Sequence, residues 1–135
     1  MTKLTPYLMC EDARAQANFY IESLGGEVLS VMTHKDIPGA EENAPDKVLH
    51  MAVTVAGVPL FLTDSFLSQQ NGNALYLALE YQEDEEAHRA FDNLAVGAEI
   101  RQPLEKAFWG TLFGQLTDKY GVNWMITTEQ KASQA

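Results

Sequence analysis

Apolar positions along the chain change their spacing in a way that predicts strands and helices in a definite order. Residues 5–10 alternate between polar and apolar side chains, which is the period of a half-buried strand. From Asp12, which can cap a helix, the spacing becomes helical through Leu24, and Gly25 and Gly26 end that helix. Strands are predicted to follow over 27–34, 48–55 and 58–63. The first half of the chain is therefore predicted as strand, helix and three strands.

The second half repeats this order. A strand is predicted over 74–81, a helix from Asp84 to about Val96, and further strands over 98–101, 108–116 and 122–127. Asp118 precedes the last strand, where it is expected to cap a turn by accepting backbone N–H bonds. Trp124 alternates away from Met125 and is expected to pack under a helix.

The predicted strand over 108–116 carries two aromatic residues and two glycines with opposite alternation. Trp109 and Phe113 fall on one face, whereas Gly110 and Gly114 fall on the other. Glycine inside a strand often marks a close approach of another backbone. A helix or a second subunit pressed against the glycine face would explain both residues.

Residue matches between the two halves indicate an internal duplication. Phe19 matches Phe91 and Gly25 matches Gly97, both at an offset of 72. The segment GVPLFLT at 57–63 matches GVNWMIT at 121–127 at an offset of 64. We therefore expect an α+β fold made of two βαβββ modules over about residues 5–64 and 74–128. They would form a single domain over 1–128, followed by a flexible tail over 129–135.

Three segments resemble one known family. They are TPYLMCEDARAQANFYIESLGGEV at 5–28, HMAVTVAGVPLFLTD at 50–64 and FWGTLFGQLTDKYGVNWMI at 108–126. They resemble the PhnB-like branch of the vicinal oxygen chelate superfamily, which includes glyoxalase I, bleomycin-resistance proteins and extradiol dioxygenases. Lys119 departs from the pattern, because proline often follows the aspartate there. The resemblance implies two half-cups that close around a site with the helices outside, and a homodimer.

The resemblance also implies where the metalloenzymes of the superfamily hold a metal ion. One residue in the first strand and one in the last strand of each module would bind it, and here these positions are Thr5, Phe61, Leu77 and Met125. None is a good ligand for Zn, Fe or Mn, which prefer imidazole, carboxylate or thiolate. We therefore expect no metal and no other cofactor at these positions.

An alternative metal site would use histidines elsewhere in the first half. His34 and His50 flank an acidic loop, and Asp64 lies near them in sequence. Such a site would suit a metal-dependent lyase or oxygenase of the glyoxalase or dioxygenase type. The spacing shows no metal-binding motif, so the favoured interpretation is that both histidines are ordinary residues at strand ends.

Without a metal, the cup would be mostly apolar. If the four superfamily metal positions face inward, alternation within each strand brings their neighbours two or four residues away inward as well, namely Tyr7, Met9, Thr63, Leu75, Leu79, Asn123 and Thr127. The residues expected to contact a ligand are Tyr7, Met9, Phe61, Thr63, Leu77, Trp109, Phe113 and Met125. Such a lining suits a small apolar or amphipathic molecule. It equally suits a filled core, in which case the protein would act through its surface. Catalysis is therefore left open.

Composition restricts the classes of partner that the protein is expected to bind. The chain has 135 residues and a net charge of -10, which disfavours nucleic acid and anionic membrane surfaces. The longest nearly uncharged apolar run, residues 52–63, is too short to span a bilayer. Cys10 is the only cysteine, so no intrachain disulfide can form and a cytoplasmic location is expected. Relatives in the PhnB-like branch have been labelled demethylubiquinone methyltransferases. This chain shows no glycine-rich strand-to-helix loop that would suit S-adenosylmethionine.

Overall fold

The structure is a computed structural model that describes residues 2–36, 46–65 and 72–130. The chain divides into two compact units, Met1–Gln69 and Gln70–Ala135. Most of the loop predicted over 35–47, the centre of the polar loop over 65–73 and most of the tail from 129 lie outside the described residues. No helix in the described segments is long and apolar enough to cross a membrane.

The first unit contains one helix and one four-stranded sheet. Its elements are β1 (Tyr7–Cys10), α1 (Ala13–Leu24), β2 (Gly26–Thr33), a short 3-10 helix (His34–Asp36), β3 (Val48–Val55) and β4 (Val58–Asp64). The strand order is β1-β4-β3-β2, and only the β1–β4 pair is parallel.

The second unit has the same topology. Its elements are β5 (Leu77–Tyr81), α2 (Asp84–Leu94), β6 (Glu99–Lys106), β7 (Leu112–Thr117) and β8 (Asn123–Thr128). The order is β5-β8-β7-β6, again with one parallel pair at the first strand. The predicted α+β fold of two βαβββ modules is confirmed.

Local chemistry sets the ends of α1 as the sequence predicts. The Asp12 carboxylate accepts a hydrogen bond from the Ala15 N–H at 3.1 Å, and Gly25 ends the helix with a positive φ of 80°. Helix α1 buries Ala13, Ala17 and Tyr20 against one face of the first sheet. We call the opposite face of each sheet, which the helix of its own unit does not cover, the open face.

The prediction of a strand over 108–116 is wrong at its start. Residues 108–111 form the turn of the β6–β7 hairpin, closed by a hydrogen bond from the Ala107 N–H to the Thr111 carbonyl at 2.8 Å. Phe108 and Trp109 favour strands by propensity, but Gly110 has a φ of 101° that a strand does not allow. Strand β6 runs to Lys106, five residues beyond its predicted end.

The close approach predicted at Gly114 comes from the same unit. A Cβ atom there would lie 2.8 Å from the Leu104 Cα and 2.9 Å from the Phe91 Cε2. Strand β6 and helix α2 therefore explain this glycine, and the turn conformation explains Gly110. Neither glycine requires a second subunit.

Candidate functional site

The open face of the first sheet brings together the predicted residues of β1 and β4. Tyr7 pairs with Phe61 and Met9 pairs with Thr63 in the parallel β1–β4 ladder. Paired residues in a sheet project to the same side, so these side chains share one surface. Tyr7 and Met9 are 47% and 48% exposed, because α1 covers only the other face.

A histidine completes this surface. The His50 ring centroid lies 5.9 Å from that of Tyr7 and 4.9 Å from that of Phe61. We call Tyr7, His50 and Phe61 the aromatic cluster. Met32 pairs with His50 and is also about half exposed. Alternation along β3 could have placed His50 on this face. The sequence does not show how β3 aligns with β4 and β2, so the neighbours of His50 could not be predicted.

The polar groups expected in the cup are used for structure. The Thr63 hydroxyl donates to the Leu49 carbonyl at 2.8 Å, and the Thr127 hydroxyl donates likewise to the Leu112 carbonyl at 2.7 Å. This shared bond confirms that the last strands of the two modules match at an offset of 64. It also commits the Thr63 proton, so this hydroxyl can offer a ligand only its oxygen lone pairs.

In the second unit the expected face of β5 is wrong. Met125 pairs with Ala78, whereas Leu77 pairs with Trp124 and Leu79 with Ile126. Trp124 and Ile126 are buried on the side of α2, so Leu77 and Leu79 face the helix rather than the open face. Tyr7 pairs with Phe61 and Ala78 with Met125, so the first strands match at an offset of 71, one less than predicted. A shift of one residue moves every side chain of a strand to the other face.

The open face of the second sheet carries Phe113 and Met125 in its centre. Trp109, 46% exposed in the hairpin turn, packs its ring edge-on at 5.8 Å from that of Phe113. The indole N–H donates to the Thr111 hydroxyl at 2.5 Å, which fixes the orientation of the ring. Trp109 and Phe113 are therefore in contact, although Trp109 lies outside the strand.

Two polar residues of the second unit, Asn123 and Asp118, hold backbone segments in place. The Asn123 amide donates to the carbonyls of Gly72 and Leu75 at 3.0 Å, which holds the segment ahead of β5. The Asp118 carboxylate accepts the N–H groups of Tyr120 and Val122 at 2.8 and 3.1 Å, as the predicted turn requires. Neither is positioned to act on a ligand.

The residues at the superfamily metal positions remain poor ligands in the structure. Thr5 is half-buried ahead of β1, and Phe61 and Met125 lie on open faces. With the corrected offset of 71 between the first strands, Tyr76 rather than Leu77 corresponds to Thr5. A neutral phenol is a poor ligand for these ions, and Thr5, Phe61 and Met125 supply no better one. The donor chemistry therefore does not fit a resident divalent metal at these positions.

The alternative metal site is not assembled. Both Asp64 oxygens accept backbone hydrogen bonds, one from the Ala13 N–H and one from the Val48 N–H, each at 2.7 Å. His34 lies in the 3-10 helix, whereas His50 belongs to the aromatic cluster. No group of three or more His, Cys, Asp or Glu side chains in the described segments could hold a metal ion. The set of His34, His50 and Asp64 is therefore wrong as a site.

Two residues with shifted pKa values, and one cleft, lie away from the open faces. Backbone and side-chain hydrogen bonds from Thr33 lower the pKa of Asp36, whereas burial, assisted by Glu86, raises the pKa of Tyr81. A cleft of about 320 Å³ lies at the start of α2, lined by acidic residues together with Lys106 and Thr128. None of the residues expected to bind a ligand lines it.

Comparison with known proteins agrees with this fold. A family model described as 3-demethylubiquinone-9 3-methyltransferase matches residues 2–127. Protein YjdN of Escherichia coli K12 is 35% identical, over 91% of this chain and 92% of its own length. A putative 3-demethylubiquinone-9 3-methyltransferase, PhnB protein, from Bacillus cereus is 28% identical with a TM-score of 0.77, covering 95% of this chain and all of its own.

A more distant structure shows the superfamily fold. The glyoxylase/bleomycin resistance protein/dioxygenase domain from Frankia sp. EAN1pec superposes with a TM-score of 0.70 at 12% identity, covering 98% of this chain and 95% of its own. At that identity the likeness concerns the fold alone. The chain belongs to the family described as 3-demethylubiquinone-9 3-methyltransferase, the PhnB-like family, and it has the two-module fold of vicinal oxygen chelate proteins.

Proposed function

We propose that this protein binds a small apolar or amphipathic molecule on the open face of its first sheet and that it does so without a metal ion. The observation that carries the proposal is the aromatic cluster with two methionines beside it. Tyr7, Met9 and Met32 each keep 43% to 48% of their surface exposed around His50 and Phe61. Exposed apolar side chains gathered on one surface mark sites of interaction.

The chemistry of this surface favours a largely apolar ligand with some polar character. Aromatic rings and thioethers offer polarizable contacts to an apolar body. The Tyr7 hydroxyl and the His50 ring can form hydrogen bonds with a polar end. Covering about 150 Å² of apolar surface contributes about 4 kcal/mol, which corresponds to a dissociation constant of about 1 mM.

Two alternatives receive less support. A filled core would bury Tyr7, Met9 and Trp109, yet each keeps close to half of its surface exposed. A metal-dependent lyase or oxygenase needs a ligand set, and the donor chemistry at the superfamily positions does not supply one. The methyl transfer in the family description is not proposed for this chain. Helix α1 begins three residues after β1 through Glu11 and Asp12, which differs from a glycine-rich cofactor loop.

The five methionines provide a test with an internal control. With ¹³C-methyl methionine, titration of the protein with 2-naphthol is expected to shift the Met9 and Met32 signals saturably. Met51 lies on the helix side of the same sheet and is 3% exposed, so its signal should stay in place. Substitution of each methionine by leucine assigns the signals.

Two variants on the same strand distinguish loss of the binding surface from a general effect on the fold. Phe61→Ala is expected to weaken 2-naphthol binding at least fivefold, because it removes the centre of the aromatic cluster. Val58→Ala, on the same strand but 43% exposed at its other end, should leave binding unchanged. Shifts that are linear and equal at Met9, Met32 and Met51 would show non-specific association and contradict the proposal.

Metal independence and assembly have their own tests. Calorimetric titration with Zn²⁺, Mn²⁺ and Fe²⁺ is expected to show no stoichiometric tight binding, and such binding would overturn the metal-free part. We also propose a homodimer, on the basis of the superfamily resemblance rather than of Gly110 and Gly114. Sedimentation equilibrium should give twice the chain mass of 15.0 kDa. A monomer at micromolar concentration would contradict it.

A further inference from the structure

The open face of the second sheet carries two carboxylates at positions where the open face of the first sheet carries methionines. The two sheets share one topology, so their rows of paired residues can be compared position by position. Glu105 pairs with Phe113, and Phe113 pairs with Thr127. Thr127 in turn pairs with Glu80. One continuous row across the four strands therefore has a glutamate on each edge strand and a phenylalanine between them.

The matching row of the first sheet has methionines in place of the glutamates. Met9 pairs with Thr63, which corresponds to the pairing of Glu80 with Thr127. Met32 pairs with His50, which corresponds to the pairing of Glu105 with Phe113. The same backbone thus presents two thioethers around an aromatic ring in one unit and two carboxylates around an aromatic ring in the other.

The two carboxylates have no cationic partner in the described part of the chain. Neither Glu80 nor Glu105 takes part in an ion pair there, and both are exposed. Lys106 pairs with buried Leu112 and so belongs to the opposite face. Arg101 lies at the far end of the open face, where its Nε donates to the Thr117 hydroxyl at 3.1 Å beside Glu99. The end of the face near Phe113 is therefore negatively charged.

Aromatic rings lie at this same end. The Trp109 ring contacts that of Phe113 at 5.8 Å and remains 46% exposed, and its indole is fixed by the bond to Thr111. Adjacent strands are about 5 Å apart, so Glu105 starts about 5 Å and Glu80 about 10 Å from Phe113. Aromatic faces attract organic cations through the ring quadrupole, and carboxylates add attraction of the same sign.

We propose that the Phe113 end of this open face binds an organic ammonium ion. Trp109 and Phe113 contact the apolar groups of the ligand, and Glu80 and Glu105 face its charge. The net charge of -10 raises the local concentration of such cations. All four residues belong to the second unit, and the proposal does not depend on the function proposed for the first sheet.

The test uses benzyltrimethylammonium chloride with the ¹³C-methyl methionine protein. Met125 lies in the next row, where it pairs with Gln115 and Ala78, and it serves as the reporter. The cation is expected to shift the Met125 signal saturably, whereas benzyl alcohol and benzoate, which lack the positive charge, should leave it in place. Raising NaCl from about 0.05 to about 0.5 M should weaken binding several-fold.

Substitutions test which side chains attract the ammonium ion. Glu80→Gln and Glu105→Gln are each expected to weaken binding about threefold, and Trp109→Leu about fivefold. Glu22→Gln, on an exposed position of α1, removes the same unit of charge from the first unit and should change nothing. A far-ultraviolet circular dichroism spectrum equal to that of the parent protein checks that each variant keeps its fold.

Three results would overturn the proposal. One is a Met125 signal that does not respond to the cation, and another is an equal response to benzyl alcohol. The third is equal weakening by Glu22→Gln, which would mean that the net charge alone attracts the ion. These results are distinct from a failure of 2-naphthol binding, because Met9 and Met32 report on the first sheet.

Discussion

Asp64 offers the sharpest test of how the first unit is held together, because two interpretations of this residue predict different results. Its carboxylate accepts the Ala13 N–H at the start of α1 and the Val48 N–H at the start of β3, each at 2.7 Å. As a structural residue it stabilises the junction of a helix and two strands. As a metal ligand it would contribute to metal content instead. The variants Asp64→Ala and Asp64→Asn separate these interpretations.

The size of the effect follows from the two bonds. A hydrogen bond to a charged group contributes about 1.5–3 kcal/mol, and partial exposure of Asp64 places each bond at the low end. Removing the interaction with the α1 N-terminus costs about 0.5 kcal/mol more. We expect Asp64→Ala to lower the free energy of unfolding by about 3.5 kcal/mol. Asp64→Asn keeps one acceptor oxygen and should lose about half as much.

The second unit supplies the matched control. Thr128 takes the place of Asp64 there, and among the described residues its hydroxyl oxygen accepts one hydrogen bond, from the Leu112 N–H at 3.0 Å. Thr128→Val preserves the shape of the side chain, so we expect a loss of about 1 kcal/mol for one neutral bond. Exposed Glu22→Gln should stay within about 0.5 kcal/mol of the parent protein.

Urea denaturation followed by circular dichroism measures these differences. The stability of a domain is about 5–15 kcal/mol, so the variants are expected to remain folded in the absence of urea. If Asp64→Ala loses less than Thr128→Val, the two backbone bonds do not hold the junction and the reasoning fails. Loss of bound Zn²⁺ from Asp64→Ala, with unchanged stability, would support the metal interpretation instead.

Two further predictions concern backbone geometry and pH. Gly26→Ala would place a Cβ atom 1.8 Å from the Thr54 carbonyl oxygen, so we expect a loss of more than about 4 kcal/mol in urea denaturation. Gly57→Ala meets no atom within 4 Å and should cost only about 1 kcal/mol for its φ of 78°, so equal losses would contradict the close approach at Gly26. Burial raises the pKa of Tyr81 above 10.0. The stability that the neutral phenol contributes is therefore fully present below pH 10 and is lost as the pH rises through the pKa of the folded state. Tyr81→Phe should therefore lose less stability than the parent between pH 9 and pH 11, and identical slopes in urea denaturation at those pH values would refute this.

Much of the fold could be predicted because its signals are local. The α1 boundaries follow from Asp12, a helical spacing and Gly25, all within 14 residues of one another. The duplicated order of elements follows from repeated patterns of the same kind, and Asp118 was identified as a turn residue from its own neighbours. The PhnB-like resemblance used these same segments.

The candidate site was predicted only in part. Tyr7, Met9, Phe61 and Thr63 share a face as alternation predicts, since β1 and β4 each keep a regular period. Leu77 was placed on the wrong face because the offset of 72 is one residue too large for the first strand. Trp109 was placed in a strand because aromatic propensity outweighed the signal of Gly110.

Capping and periodicity act over one or two turns of chain, so they specify which segments become helices and strands. The pairing of the strands and their register depend on tertiary packing. His50 joins Tyr7 and Phe61, and Glu80 joins the row of Phe113 and Glu105, through hydrogen-bonded ladders between distant segments. Register depends on the packing of whole strands against a helix, and one residue of slip exchanges the two faces. The chemistry of both open faces is therefore a tertiary property of this chain.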